Sequence, residues 1–147
     1  MAITTNAIAN SFKKQLLEGD HNFKQSGGDV FKLALYTAGA TLTSATTSYT
    51  TSQEVSASGQ YTAGGGALVN AGTSQTAGVA RVDFNNLSFT GVTLTARGAL
   101  IYNTSATATN AAVAVLDFGG DKSATSGTFT IQFPNPTSTA AILRISG

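Results

Sequence analysis

The second half of this chain consists of short segments in which apolar and polar residues alternate. In residues 127–134 every second side chain is large and apolar, namely Phe129, Ile131 and Phe133. Successive side chains of a β-strand point to opposite faces, so this pattern places three large side chains on a core and the polar ones between them on water. The pattern predicts a β-protein.

Several strands of this kind are predicted, and turn-forming residues separate them. The predicted strands are 30–37, 79–84, 87–94, 97–102, 112–118, 127–133 and 140–145, with turns that include 119–121 and 135–136. The apolar positions change phase across Gly91, which predicts a β-bulge there. Because no helix is predicted between these strands, residues 1–147 are expected to form one all-β domain, an antiparallel β-sandwich or barrel. A jelly-roll-like sandwich is favoured, with the strand order left open.

One short N-terminal helix is predicted over residues 6–18, within an N-terminal arm and helix that span residues 1–19. Thr5 or Asn6 is expected to cap this helix, and Gly19 is expected to close it. Apolar residues recur on one face at every fourth position, namely Ile8, Phe12 and Leu16. This stripe either covers one end of the sheet or docks on a neighbouring subunit, and both readings stay open.

The region 38–78 is rich in Thr, Ser, Ala and Gly and contains few large apolar residues. Forty structureless residues are unusual in a compact domain, so weak or edge strands are expected near 53–55, 61–63 and 67–70. This loop-rich region is the best candidate for a contact surface. Tyr49 and Tyr61 are predicted interface residues because aromatic side chains bury a large area at low entropic cost. Local packing is the alternative for each of them.

Few charged residues are present, and their balance restricts the classes of partner. Charged residues make up 10% of the 147 residues, against about 25% in typical globular proteins. A surface with a net charge of +1 has little self-repulsion, which suits a protein that coats a surface or assembles. Eight basic and seven acidic residues form no basic footprint for nucleic acid. No apolar run reaches the ~20 residues of a membrane helix, and no secretory leader is recognised, so synthesis in the cytosol is expected.

Catalytic and metal-binding groups are sparse in the sequence. The chain has one histidine, His21, and no cysteine, so the usual zinc clusters are excluded. Asp117 and Asp121 flank a Gly-rich turn, but they lack the spacing and number of oxygen ligands that calcium requires. Glu54 and the aspartates give no evident catalytic pair, whereas Arg81 and Arg97 are expected to pair with Asp83 or Asp117 for structural reasons. We therefore expect no enzyme activity, no catalytic residues, no metal site and no cofactor.

Several segments resemble small structural proteins encoded in tailed-bacteriophage genomes. The segments that carry the resemblance are 10–17, 31–37, 95–103, 114–122, 127–134 and 142–145, and they span essentially the whole chain. The resemblance implies a β-rich module of the virion, and capsid cement or decoration proteins with jelly-roll folds are the nearest type. It brings no catalytic residues with it.

The expected function is stabilisation of a phage head by bridging capsid subunits from the outside. The expected partners are the major capsid protein and further copies of this chain, as a dimer or trimer, without nucleic acid or membrane. The expected location is the capsid exterior, after synthesis in the bacterial cytoplasm. Two alternatives stay open. One is a tail or head–tail connector component, and the other is a carbohydrate-binding host-recognition module in which Tyr49, Tyr61 or Tyr102 would stack on sugar rings.

Overall fold

The computed structural model describes residues 3–135 and 140–146 of the chain. These residues form one helix, α1 (Asn10–Leu17), and eight strands, which are β1 (Ala7–Ile8), β2 (Phe31–Tyr36), β3 (Gly66–Ala67), β4 (Asn70–Thr76), β5 (Val79–Phe84), β6 (Leu87–Asn103), β7 (Ala111–Ile131) and β8 (Leu143–Ser146). The predicted all-β class with one short helix is confirmed. The predicted turn at 135–136 extends beyond the described residues.

The strands form two antiparallel sheets. The larger has the order β1-β7-β6-β2-β3 and the smaller the order β4-β5-β8. β5 and β8 pair in the small sheet, whereas β6 and β7, which lie between them in the chain, pair in the large one. This arrangement confirms an antiparallel sandwich, but its order is not that of a jelly roll. The sheets have five and three strands, and the longest pairing is a direct hairpin of consecutive strands, not one ladder within two Greek keys.

The β6–β7 hairpin is longer than predicted, because each of its strands unites two predicted strands. The bulge predicted at Gly91 is confirmed, since Gly91 has φ +63° and the register shifts between Phe89 and Val92. The predicted turn at 119–121 is wrong. Residues 118–121 oppose Arg97 alone, because Ala96 pairs with Lys122 and Gly98 with Asp117. These four residues, which include both glycines, therefore form a large irregular bulge within β7 and do not reverse the chain; we call it the wide bulge.

The N-terminal helix is shorter than predicted and starts later. Residues 7–8 pair with Val115 and Ala114 as strand β1, so Ile8 lies outside the helix. Ala9 is the N-cap residue and makes no side-chain capping hydrogen bond, so the predicted caps Thr5 and Asn6 are wrong. Asn6 instead accepts a hydrogen bond from the backbone N–H of Asp117 on Oδ1, at 2.6 Å. The predicted closure at Gly19 is confirmed by its φ of +77°.

Aromatic side chains join the two sheets. The rings of Phe23 and Phe31 stack with centroids 4.4 Å apart, and Phe84 of the small sheet lies 5.7 Å from Phe31. Phe133 also packs on Phe84, with ring centroids 5.8 Å apart. Such contacts stabilise a core beyond the area that they bury. The two sheets are therefore in contact at the Phe84 end of β5. At its other end, the residues of β4 and β8 that pair with residues 79–81 are exposed.

The region 38–78 is held on the edge of the large sheet. Isolated bridges join Tyr36 to Glu54 and Ser58 to Tyr61, close to the predicted weak strands near 53–55 and 61–63. The predicted strand near 67–70 is divided between the end of β3 and the start of β4. Most of this region lacks regular strands. Single backbone hydrogen bonds hold it to the sheets, for example from Val55 to the carbonyl of Leu35 and from Tyr49 to that of Asn110.

Candidate functional site

All four tyrosines of the chain lie in one cluster around Glu54. Oε2 of Glu54 accepts a hydrogen bond from the Tyr49 hydroxyl at 2.5 Å, and Oε1 accepts one from the Tyr61 hydroxyl at 2.8 Å. The backbone N–H of Gly64 also donates to Oε1, at 2.7 Å. One carboxylate thus connects three points of the loop that spans residues 49–64.

The same cluster reaches the large sheet. The Tyr102 hydroxyl of β6 donates to the carbonyl of Gly64 at 2.6 Å, and its ring stacks on that of Tyr49 with centroids 4.8 Å apart. The Tyr61 hydroxyl accepts the backbone N–H of Leu35 at 2.8 Å, on the edge of β2 that faces away from β6. The backbone of residues 53–55 pairs with the same edge, because the N–H of Val55 donates to the carbonyl of Leu35 at 2.9 Å. Backbone hydrogen bonds and the Tyr61 hydroxyl therefore close this edge of the large sheet together.

The environment of the cluster keeps the phenols protonated. Burial is the main cause that raises the pKa of Tyr102 to about 12, and it raises the pKa values of Tyr36, Tyr49 and Tyr61 further above their usual value. The nearby Glu54 carboxylate acts in the same direction because a second negative charge beside it is unfavourable. The phenols therefore serve as hydrogen-bond donors to Glu54, Thr50 and Gly64.

Tyr49 and Tyr61, the two predicted interface residues of the region 38–78, thus have partners within the chain. Tyr61 is fully buried and Tyr102 is 2% exposed, while Tyr49 is half-buried against the core. Local packing is the reading that the structure shows for Tyr61. A buried ring cannot stack on a sugar, so of the three tyrosines only Tyr49 retains any surface for the carbohydrate alternative.

The three predicted interface residues near the N-terminus lie in different environments. Phe12 is buried in the core, at 4% exposed, and Leu16 is half-buried beside it. Ile8, half-buried in β1, lies on the outer edge of β7. The arm before it is also anchored, because Ile3 is fully buried over Gly98. The arm and helix therefore mainly cover their own sheet, and Leu17, at 90% exposed, is the large apolar side chain that the helix leaves in solvent.

The predicted structural role of Arg97 is confirmed. Arg97 and Asp117 form a part-buried salt bridge across β6 and β7, at the start of the wide bulge. Asp117 also accepts the backbone N–H of Gly119 at 2.9 Å, and these two contacts lower the pKa of its carboxyl group. Arg81 donates from Nη2 to the hydroxyl of Thr76 at 2.8 Å, so its predicted pairing with Asp83 or Asp117 is not found.

A groove of about 690 Å³ follows the outer edge of β7, the edge that faces away from β6. We call it the edge groove. Its apolar walls are formed by Ile8, Leu116, Phe118, Phe129, Ile131 and Ile142. Thr128, Thr130 and Lys122 add polar groups to the lining. Sequence reasoning identified Ile8 but missed the other residues, because they lie on strands that the sequence could not order.

The backbone beside the edge groove is open. β1 covers the outer edge of β7 only at Ala114 and Val115, and within residues 3–135 and 140–146 no strand pairs with it between Phe118 and Ile131. An edge strand presents unpaired N–H and C=O groups to which another strand can add. The bulges make part of this edge irregular and so hinder pairing with another strand there. From Phe129 to Ile131 the register is regular. The edge groove therefore combines apolar pockets with an accessible strand edge.

Other kinds of site have little support among the described residues. In that part of the chain, no group of three or more His, Asp or Glu side chains is placed to hold a metal ion. Nor does it contain a helix long and apolar enough to cross a membrane. The two ring nitrogens of His21 face the side-chain amides of Gln15 and Asn103 and not a serine hydroxyl.

Comparisons with protein-family models, with curated proteins and with solved structures found no match. They assign no family to the chain. The resemblance to phage virion proteins therefore stays a prediction from the sequence.

Proposed function

We propose that this protein is a structural component of a tailed-bacteriophage virion, a cement or decoration protein that binds the capsid exterior. The observation that carries the proposal is the edge groove beside the open edge of β7. The chain's low content of charged residues also supports it, because a surface with few charges is desolvated at low cost in an assembly. The role is non-catalytic, and the protein would reach the head after synthesis in the bacterial cytoplasm.

The proposed mechanism is addition of an extended segment of the major capsid protein to β7. Strand addition gains affinity from backbone hydrogen bonds and specificity from pockets for alternate side chains. Phe129 and Ile131 would provide the pockets next to the open edge. Several copies, bound as a small oligomer, would bridge neighbouring capsid subunits, and many weak contacts would together hold the shell.

The tail or connector alternative shares these features and differs in copy number. Quantitative mass spectrometry of purified virions, relative to the major capsid protein, separates the two. A ratio near one or a simple fraction of one is expected for a cement protein. A few copies per particle would place the protein in the tail or connector, and its absence from virions would overturn the proposal.

Binding to purified heads tests the edge groove itself. A lysine in the middle of a strand edge hinders pairing with another strand. Thr128→Lys, an exposed change in the groove, is therefore expected to abolish or strongly weaken binding to heads that lack the protein. Thr90→Lys is the matched control, since Thr90 is exposed on β6 outside the groove lining.

Equal binding by the two lysine variants would exclude the edge groove as the contact surface. Both positions are exposed, so both variants are expected to fold. Deletion of residues 1–18 is a poorer test, because it would also remove the buried side chains of Ile3 and Phe12 from the core.

A further inference from the structure

The chain's single histidine connects the N-terminal helix with the tip of the long hairpin. His21 is only 7% exposed, and its Nε2 lies 2.9 Å from Oε1 of Gln15 in α1. Its Nδ1 lies 3.0 Å from Nδ2 of Asn103, the last residue of β6. The ring also packs on Phe12, with centroids 4.7 Å apart. Both ring nitrogens thus have partners, and the ring has little access to water.

The hydrogen bonds of Asn103 fix which ring nitrogen carries the proton. Asn103 is fully buried, its Oδ1 accepts the backbone N–H of Ser105 at 2.8 Å, and its Nδ2 also donates to Oδ2 of Asp29 at 2.8 Å. Nδ2 therefore faces His21 as a donor, and Nδ1 of His21 must accept. The remaining proton lies on Nε2, which donates to Gln15. This arrangement requires a neutral imidazole.

The charged groups around the ring do not supply a partner for an imidazolium. Asp29 accepts from the same Nδ2 atom of Asn103 that faces the ring, so its carboxylate lies near the ring but is bonded to the amide of Asn103. Asp20 precedes His21 and accepts the backbone N–H of Thr107 at 2.8 Å. The other elements packed on the ring present the neutral groups Gln15 and Phe31. Burial lowers the pKa of His21, although the charges of Asp20 and Asp29 act in the opposite direction.

We propose that His21 is an acid-sensitive latch whose protonation releases α1 and residues 20–29 from the tip of the β6–β7 hairpin. A proton on Nδ1 would point at the Nδ2 donor of Asn103. Rotating the Asn103 amide would not relieve this, because its bonds to Ser105 and Asp29 would both be lost. An eight-residue helix is marginal by itself in water, so release of its anchor also melts it.

The pH dependence of latch opening follows from the difference in the pKa of His21 between the released and the latched segment. The released segment binds a proton near the ordinary histidine pKa of about 6.5, whereas the latched segment binds it only at lower pH. Lowering the pH through that interval therefore increases the opening constant by up to about tenfold per pH unit. The latch is closed above about pH 6.5 and weakens progressively below it.

Amide hydrogen exchange of the whole chain, compared between about pH 7 and about pH 5, tests the latch. Histidine is the side chain whose ordinary pKa lies in this window, and the chain has only one. After correction for intrinsic exchange rates, protection of α1 and residues 20–29 is expected to fall with decreasing pH, by up to about tenfold per pH unit below about pH 6.5, while strand residues of β6 before Ala96 keep theirs. His21→Gln, which keeps a neutral donor and acceptor, is expected to abolish the pH dependence.

Two results would overturn the proposal. One is protection of α1 that is equal at the two pH values, and the other is an equal loss of protection along the whole chain. If His21→Gln does not fold, the ring nitrogens of the native protein can be observed by NMR instead. A proton on Nε2 with a bare Nδ1 at neutral pH is required, and a proton on Nδ1 would contradict the latch.

Discussion

The two halves of the β6–β7 hairpin have different surroundings although they belong to the same pair of strands. In the covered half, residues 98–103 and 111–115, every residue is buried. In the outer half, residues 87–96 and 118–131, buried and exposed residues largely alternate along β6, and β7 is mostly exposed until Phe129. The register is more regular in the covered half, while the wide bulge and the shift at Gly91 lie in or next to the outer half.

This difference shows how neighbouring elements decide what a strand sequence must be. The covered half has β1 and β2 on its edges and contacts from α1 and the tyrosine cluster. A strand buried on both faces is expected to be a continuous apolar run, and Ala99, Leu100 and Ile101 fit that expectation. The outer half has one polar face of Ser and Thr hydroxyls, which pair across the strands at Ser88 with Thr130 and at Thr95 with Ser123. The covered half serves as scaffold, and the outer half offers surface.

Alkaline pH is expected to lower the stability of the folded protein most strongly. It acts on the covered half through the tyrosine cluster. The phenols have raised pKa values in the folded protein, so their contribution to stability is complete below about pH 10 and is lost as the pH rises above it. Each buried phenol can change the unfolding constant by up to about tenfold per pH unit. Three of them, Tyr36, Tyr61 and Tyr102, are almost fully buried.

Phenolate absorbance, followed together with circular dichroism, measures this titration. In the folded protein absorbance should stay nearly flat through about pH 10, and then rise together with cooperative unfolding. The chain in urea is the control and should titrate near the ordinary pKa of about 10. Titration of most tyrosines near that value with the β-signal intact would contradict the buried cluster.

Truncation in the covered half should have the next largest effect. Ile101 is fully buried in the middle of the larger sheet, so Ile101→Ala removes apolar contacts and leaves a cavity. The free energy of unfolding is expected to fall by about 2–5 kcal/mol. Thr90→Ala in the outer half is the matched control and should change it by less than about 0.5 kcal/mol. Urea denaturation measures both, and similar losses in the two variants would refute the division of the hairpin.

Two tyrosine-to-phenylalanine changes distinguish the inner and outer parts of the tyrosine cluster. Tyr61→Phe leaves the backbone N–H of Leu35 without its buried acceptor and removes one bond to Glu54, so a loss of about 1–3 kcal/mol is expected. Tyr49→Phe removes a single bond to Glu54 from a half-buried side chain and should cost less. Thermal and urea denaturation of the two variants give the order, and a larger loss in Tyr49→Phe would contradict it.

The sequence was informative wherever the local pattern agrees with the surroundings. The strand at 79–84 and the bulge at Gly91 could be predicted because alternation and a glycine phase shift are local signals. The helix start could not, because pairing with β7 draws residues 7–8 into a strand. The bulge at 118–121 could not be predicted either, because a Gly-rich segment is compatible with both a turn and a bulge until the partner strand is known.

The tyrosine cluster and the histidine latch depend on contacts between residues far apart in the chain. In the tyrosine cluster, the contact between Tyr61 and Leu35 spans 26 positions and that between Gly64 and Tyr102 spans 38. His21 and Asn103 are 82 positions apart. Such contacts depend on which strands are neighbours, and that order is not encoded in alternation. The edge groove was missed for the same reason, apart from Ile8.

Adding one methyl group at two glycines gives the finest test of the comparison. A Cβ at Gly98 in the covered half would lie 2.5 Å from the carbonyl oxygen of Leu116 and 2.7 Å from Cδ1 of Ile3. The backbone oxygen cannot move easily, so Gly98→Ala is expected to cost about 1–3 kcal/mol and to displace the N-terminal arm. A Cβ at Gly120 in the wide bulge meets no atom within 4 Å, and Gly120 lacks the positive φ of Gly119. Gly120→Ala should therefore be neutral or stabilise the protein by up to about 1 kcal/mol, because alanine reduces the conformational freedom of the unfolded chain.

Urea denaturation compares the stabilities of the two variants, and hydrogen exchange of the Ala7 and Ile8 amides reports whether the N-terminal arm is displaced. Equal stabilities of the two variants would mean that the covered half is packed no more tightly than the outer half.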